Sequence, residues 1–124
     1  MLLIDDMEPL LQALRDGLTQ HGFIALTATS GEEGLRKFQE NLVDVVICDL
    51  GMPGLNGWEV GCRVAKICQE QGRPKIPFLL LTGWAEQMEQ GQHELPGYID
   101  RIIRKPLKLG ELLQAIRAVV RSTQ

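Results

Sequence analysis

Five short apolar segments alternate with amphipathic segments along this 124-residue chain. The predicted strands are Met1–Ile4, Phe23–Ala28, Val43–Cys48, Ile76–Leu81 and Tyr98–Ile103. Between and after them, apolar residues recur every three or four positions, which is typical of helices that bury one face. A repeated strand–helix pattern favours a parallel sheet with right-handed crossovers and helices on both faces. We therefore predict an α/β fold with a doubly wound, five-stranded sheet.

Capping signals indicate where several of the predicted helices begin. Ser30 is followed three residues later by Glu33, and Asn56 by Glu59, which is the spacing of a capping box. The fourth predicted helix, Glu86–His93, is polar and has a weaker signal. The last helix carries the clearest apolar stripe, formed by Leu109, Leu112, Leu113, Ile116, Val119 and Val120.

The composition argues against several classes of protein. A hydrophobic content of 44% is enough for a real core, and no linker interrupts the pattern, so we predict one domain over residues 1–124. A net charge of −3 argues against direct binding of nucleic acid. No apolar run approaches the roughly 18 residues of a membrane span. The three cysteines lack metal-binding spacing and fit a reducing compartment, so we expect a cytoplasmic protein without a membrane partner.

Polar residues that can handle Mg²⁺ and phosphate follow four of the predicted strands. Asp5 and Asp6 follow the first strand, Asp49 the third, Thr82 the fourth and Lys105 the fifth. In an open parallel sheet, ligand sites form at the carboxyl ends of the strands. Three carboxylates drawn together repel one another unless a cation lies among them. The sequence therefore predicts a metal site at this edge.

Four sequence pieces together resemble the receiver domain of two-component response regulators, over essentially the whole chain. The pieces are Asp5-Asp6, the run from Asp49 to Gly57, Leu81-Thr82-Gly83, and Lys105-Pro106. Each piece alone is a weak signal, but their order and their places at strand ends make the resemblance specific. It implies a flavodoxin-like fold with strand order 2-1-3-4-5. The spacing of apolar residues does not by itself predict the order of the strands.

The resemblance also implies a Mg²⁺ cofactor at the acidic edge. Asp6 would bind the ion directly, and Asp5 would bind it through water or act as a second acidic partner. Asp49 and the backbone carbonyl of Gly51 would supply further oxygens. Mg²⁺ is usually held by a few carboxylates, phosphate oxygens and water, which agrees with this short set.

By the same resemblance, Asp49 is the phosphoacceptor. The protein would then be a signalling switch and not an enzyme that acts on a separate substrate. It would take a phosphoryl group from a phosphohistidine on a sensor histidine kinase or phosphotransfer domain. Lys105 and the Thr82 hydroxyl would contact the phosphoryl oxygens. The loops at these two residues would then control a downstream partner protein or fused kinase domains.

Three positions bear on how such a switch would work here. Ile102 stands where many receivers carry Tyr or Phe, three residues before the active-site lysine. Gly51 and Trp84 lie two residues beyond Asp49 and Thr82, where side chains influence attack by water in this family. We expect the Trp84 ring to shield an aspartyl-phosphate. A cis peptide bond before Pro106 is also implied by the resemblance.

Two other functions are weighed against this one. The first is a receiver-shaped module that binds partners without phosphoryl turnover, and the presence of Asp6, Asp49, Thr82 and Lys105 argues against it. The second is a small phosphatase that forms an aspartyl-phosphate. That chemistry would need a second acid two residues after the nucleophile, where this chain has Gly51. We therefore favour the phosphoacceptor.

Overall fold

The computed structural model describes residues 1–83 and 96–122. Its strands are β1 Leu2–Ile4, β2 Leu26–Ala28, β3 Val46–Asp49, β4 Phe78–Thr82 and β5 Arg101–Arg104. Its helices are α1 Glu8–Gln20, α2 Gly31–Glu40, α3 Gly57–Glu70 and α4 Leu109–Ser122. The predicted helix Glu86–His93 and the side chain of Trp84 lie outside the described residues. Among the helices described, none is both long and apolar enough to cross a bilayer.

All five strands run parallel, in the order β2-β1-β3-β4-β5. The chain thus starts near the middle of the sheet, moves out to β2, and then crosses β1 to build β3, β4 and β5. The direction of growth reverses between β1 and β3, and their carboxyl ends therefore border the crevice where ligands bind in such folds. The predicted fold class and strand order are confirmed.

Successive residues in the central strands point to opposite faces of the sheet, and each face has its own core. On one face, Leu2 and Ile4 of β1 belong to a cluster that includes residues of α2 and α3. On the other, Leu3 belongs to a cluster that includes residues of α1 and α4. A strand that is covered on both faces has a continuous run of apolar residues in its sequence, whereas a half-exposed strand alternates apolar and polar residues. The continuous runs are therefore easy to recognise as strands in this sequence.

The strands are shorter than predicted, most clearly at the edges of the sheet. The predicted strand Phe23–Ala28 is reduced to β2, and Tyr98–Ile103 is replaced by β5, which starts three residues later. A turn explains the second difference, because the Ile99 N–H donates to the Pro96 carbonyl (2.9 Å) instead of joining the ladder. Ile99 is nevertheless buried. Its apolar character reflects packing rather than strand pairing.

Both predicted helix caps form, but only one is a complete capping box. At α3, the Asn56 side chain accepts from the Glu59 N–H (2.9 Å) and the Glu59 carboxylate accepts from the Asn56 N–H (3.1 Å). At α2, Ser30 Oγ accepts from the Glu33 N–H (3.1 Å). The Glu33 carboxylate, however, accepts from the Thr29 N–H (2.9 Å), one residue earlier than a capping box requires.

Candidate functional site

The carboxyl edge of the sheet brings together the acidic residues singled out in the sequence. Asp5 follows β1, Asp49 ends β3, and Asp6 lies beside them at the approach to α1. One carboxylate oxygen from each lies within 4.8 Å of the other two. Asp5 and Asp49 are buried, whereas Asp6 is exposed. The cluster is therefore anchored in the protein on one side and open to solvent on the other.

Lys105 bridges the two buried carboxylates. Its Nζ lies 2.9 Å from Asp49 Oδ1 and 3.1 Å from Asp5 Oδ2. The other oxygen of Asp5 accepts a hydrogen bond from the Met7 N–H (2.9 Å), just before α1. The peptide bond between Lys105 and Pro106 is cis, as the resemblance implied. Lys105 therefore links the carboxylates at the ends of β1 and β3 to the end of β5.

The charges at this edge do not balance. Burial raises the pKa of the Asp49 carboxyl above its ordinary value of 3.8, and the negative charges of Asp5 and Asp6 raise it further, although Lys105 acts in the opposite direction. Burial lowers the pKa of Lys105, but its hydrogen bonds to Asp49 and Asp5 outweigh that effect, and the pKa is raised. Among the described residues, Lys105 contacts two of the three carboxylates in this cluster, and the remaining negative charge favours a bound cation.

Backbone hydrogen bonds extend the sheet past its formal end and hold the site in register. The Leu50 N–H donates to the Leu81 carbonyl (2.8 Å), and the Lys105 N–H donates to the Thr82 carbonyl (2.9 Å). The first bond holds the start of the loop that follows Asp49. The second bond holds the Lys105 backbone beside the end of β4. Thr82 itself is buried at the end of β4.

Gly57 allows the first turn of α3 to approach the end of β3 closely. A Cβ at this position would lie 2.7 Å from the Asp49 carbonyl oxygen and 2.9 Å from Leu50 Cα. The Gly57 N–H donates to the Leu50 carbonyl (3.0 Å). The nearest atom would be Cδ1 of the Leu80 side chain, and the other two are backbone atoms. Because backbone atoms cannot rotate away as a side chain can, a side chain at Gly57 would have to displace either the helix or the strand end. Sequence reasoning matched Gly57 to a family motif without this physical explanation.

Two further contacts at the site have no sequence signal. The Cys48 thiol is buried beside the acidic cluster and donates to the Asp49 carbonyl (3.4 Å). Burial, with the negative charges of Asp49 and Asp5, raises the pKa of this thiol far above its ordinary value. It is therefore a neutral donor rather than a nucleophile. The second contact is the hydrogen bond that the Met7 backbone N–H donates to the Asp5 carboxylate.

The remaining predicted residues lie around the cluster. Gly51 is exposed in the loop after Asp49, and a Cβ there would meet nothing within 4 Å. Ile102 is half-buried in β5, opposite Leu80 of β4, and packs against the core on the α2–α3 face. The relation of Trp84 to the site falls outside the described residues.

A family model described as the response regulator receiver domain matches residues 1–117. The chain belongs to this family. Receiver domains are signalling switches. The transcriptional regulatory protein KdpE of Mycobacterium tuberculosis is 35% identical over 98% of this chain and 50% of its own length. The virulence sensor protein BvgS of Bordetella pertussis is 33% identical over 97% of this chain and 10% of its own length. The chain thus spans about half the length of relatives such as KdpE.

Solved receiver structures share the fold. A response regulator receiver domain protein from Clostridium thermocellum is 32% identical, with a TM-score of 0.82 over 98% of this chain and 94% of its own. The response regulator TrrA of Thermotoga maritima, in complex with Mg²⁺–BeF, is 27% identical, with a TM-score of 0.74 over 94% of this chain and 95% of its own.

Proposed function

We propose that residues 1–124 form one receiver domain in which Asp49 accepts a phosphoryl group from a phosphohistidine. The donor is a sensor histidine kinase or a phosphotransfer domain. The observation that carries this proposal is the bridge from Lys105 to Asp5 and Asp49, directly beside the exposed Asp6 carboxylate. It places the proposed nucleophile beside a lysine and an acidic cluster with excess negative charge.

The residues present fit a Mg²⁺ ion. Hard oxygen ligands suit it, and the three carboxylates can each supply one oxygen within a small volume. Asp6 and Asp49 would hold the ion, with Asp5 as an outer acidic partner and the Gly51 carbonyl as a further oxygen. When bound, Mg²⁺ would neutralise charge on the phosphoryl oxygens.

The protein's own groups supply the rest of the chemistry. An oxygen of the Asp49 carboxylate attacks phosphorus, the new O–P bond forms, and the bond from phosphorus to the donor nitrogen breaks. The leaving imidazole keeps the electron pair. Lys105, released from the carboxylate it neutralised, pairs with a phosphoryl oxygen, and the buried Thr82 hydroxyl donates to another. Catalysis is mainly positioning and charge neutralisation, because the transition state is loose.

The same two contacts provide a route to output. If Lys105 and Thr82 turn toward the phosphoryl group, the loops that follow β4 and β5 must adjust. We propose that these loops control a downstream protein partner or kinase domains fused to the receiver. No direct contact with nucleic acid is needed for this step. The three free thiols fit a reducing compartment, and we propose a cytoplasmic location.

We also propose that the kinase or phosphotransfer domain docks on α1 and the loop after β5, because both border the acidic cluster. Exchanging the exposed α1 residues Gln12 and Asp16 for residues of similar size should slow transfer from the cognate kinase. Phosphorylation by acetyl phosphate should be unchanged in the same variant. Equal kinase transfer rates in the variant and the natural chain would contradict this docking face.

The central test is phosphorylation by acetyl phosphate with Mg²⁺, followed by intact mass measurement. We expect the mass to rise by one phosphoryl group in the natural chain and not in Asp49→Asn. The matched control is Asp44→Asn, at the opposite end of β3, which should be phosphorylated normally. Undiminished phosphorylation in excess EDTA, or in folded Asp49→Asn, would contradict the proposal. Absence of phosphorylation in the folded natural chain would favour the interaction module without turnover.

A further inference from the structure

A groove of about 640 Å³ runs between α2 and α3, on the face of the sheet away from α1 and α4. We call it the α2–α3 groove. Its lining residues are Glu32, Leu35, Arg36, Gln39, Leu55, Arg63, Lys66, Ile67 and Glu70. It lies apart from the acidic cluster, and the proposed phosphotransfer does not use it.

The floor of the α2–α3 groove is apolar. Leu35 of α2, Ile67 of α3 and Leu55, just before α3, are half-buried and pack against the core beneath. Their remaining surfaces are open to the groove. An apolar floor favours a ligand that brings apolar side chains, rather than a free inorganic anion.

The walls of the groove carry three cations, Arg36, Arg63 and Lys66, and all three are exposed. None of them forms an ion pair with another residue in the described part of the chain. The acidic lining residues stand near the ends, with Glu32 in the first turn of α2 and Glu70 at the last residue of α3. A cationic centre on a chain of net charge −3 is complementary to an acidic ligand.

We infer that the α2–α3 groove binds an acidic amphipathic helix of a partner protein. α2 has 10 residues. A helix of that size is about 15 Å long, which matches roughly three turns of a bound helix. Apolar side chains spaced three and four residues apart would contact the floor, and Asp or Glu beside them would pair with the cations. Because the groove faces away from α1, such a partner could stay bound while a kinase docks there.

The test uses a synthetic, fluorescently labelled helical peptide with Leu on one face and Glu on the other. Its control replaces every Glu with Lys. We expect the full chain to bind the Glu peptide with an affinity that falls as salt rises, and to bind the Lys peptide roughly tenfold more weakly or not at all. Chemical shift changes in the labelled chain should map to α2 and α3. The measurement needs no phosphorylation, so its failure would be separate from failure of the proposed function.

Two variants and one control locate the peptide. Arg63→Glu combined with Lys66→Glu should weaken binding of the Glu peptide roughly tenfold or more. Gln39→Trp should block the floor without changing the charge. The control is Arg15→Glu combined with Arg117→Glu, which makes the same charge change on the other face and should have little effect. Thermal melts would verify that each variant is folded.

Three results would overturn the inference. The first is an equal loss of affinity in the groove variant and in the control on the other face, since that would reflect net charge alone. The second is equally tight binding of a single-stranded oligonucleotide, which would indicate a general anion surface. The third is the absence of binding, or shift changes confined to other helices, in the folded natural chain.

Discussion

The two ends of the parallel sheet each hold a lysine paired with aspartate, and the two arrangements differ in charge balance. At the amino end, Lys75 Nζ contacts both oxygens of Asp100, at 2.9 and 2.7 Å. The Phe78 N–H also donates to Asp100 Oδ2 (2.7 Å). One cation meets one anion, and the pair joins the start of β4 to the start of β5. Both side chains are partly exposed.

At the carboxyl end, within the part of the chain that the structure describes, Lys105 meets an excess of negative charge. Lys105 contacts Asp5 and Asp49, and Asp6 lies within reach of both carboxylates. The side chains of Asp5 and Asp49 are only 2% and 10% exposed, so the repulsion between them is poorly screened by solvent. Burial, followed by repulsion from Asp5 and Asp6, raises the pKa of the Asp49 carboxyl even though Lys105 lowers it.

The two ends use the same residue types. They differ in the number of charges and in the burial of those charges. A balanced, half-exposed pair contributes little and can be replaced at small cost. A crowded cluster with two buried carboxylates costs stability, and a cation or a phosphoryl group that neutralised its charge would offset that cost.

The largest difference should appear when each lysine is changed to methionine. Lys105→Met should reduce the rate of phosphorylation by acetyl phosphate by about 10²–10³-fold, because the charge that stabilises the phosphoryl oxygens is lost. Lys75→Met should leave that rate nearly unchanged and cost at most about 1 kcal/mol of stability. Time courses by intact mass would measure both rates. If folded Lys105→Met and folded Lys75→Met lost phosphorylation rate to a similar extent, the proposed difference between the two ends of the sheet would be wrong.

The second comparison concerns stability without Mg²⁺. Asp49→Asn should raise the midpoint of thermal unfolding, because it removes a charge that its surroundings disfavour. Asp100→Asn should lower the free energy of unfolding by about 1–2 kcal/mol, because it weakens hydrogen bonds to a charged acceptor. Thermal melts followed by circular dichroism would measure both midpoints. Destabilisation by both substitutions would mean that the acidic cluster is not strained.

The pH dependence of that effect has a defined sign. A carboxyl whose pKa is raised in the folded state contributes stability at low pH and loses it as pH rises through the folded pKa. Asp49 therefore costs stability above its ordinary pKa of 3.8, and the advantage of Asp49→Asn should grow from acid toward neutral pH. If the gain in stability of Asp49→Asn over the natural chain were constant from acid to neutral pH, the raised pKa of Asp49 could not be its cause.

The smallest expected effect is the response to Mg²⁺. At a concentration roughly tenfold above its Kd, Mg²⁺ should stabilise the natural chain by about 1.4 kcal/mol. Asp6→Asn should lose most of that gain, whereas Asp100→Asn should keep it. Melts with Mg²⁺, Ca²⁺ and EDTA would separate ion binding from ionic strength. An equal gain in both variants would show that the ion binds elsewhere or only screens charge.

Much of the fold could be predicted because the strands are covered on both faces. Buried runs such as Val46–Asp49 and Phe78–Thr82 contain little but apolar residues, so their positions are evident within two or three residues. Edge strands carry a weaker signal. β5 has exposed Arg101 and Arg104 at its ends, whereas the apolar Tyr98 and Ile99 before it are not in the ladder. Hydrophobicity reports burial, and burial does not require strand pairing.

For the site, the sequence indicated the right edge of the sheet but not the contacts within it. Asp5 and Asp6 are adjacent and chemically identical, yet one is buried and paired with Lys105 and the other is exposed. Lys105 is held between the carboxylates of Asp5 and Asp49, and its contact with a phosphoryl oxygen stays a prediction. Such differences depend on where neighbouring strands end, which local patterns do not encode.

The order of residues alone specifies the alternation of strands and helices and the chemical types at the strand ends, because both follow from local spacing and burial. The strand order came from family resemblance, since periodicity is the same for any arrangement of buried strands. The close approach of α3 to Asp49 at Gly57, the bridge formed by Lys105 and the cationic groove between α2 and α3 arise only when distant segments pack together. Distances and charge balance are properties of that packing, and they are what distinguish the crowded Asp49 from the balanced Asp100.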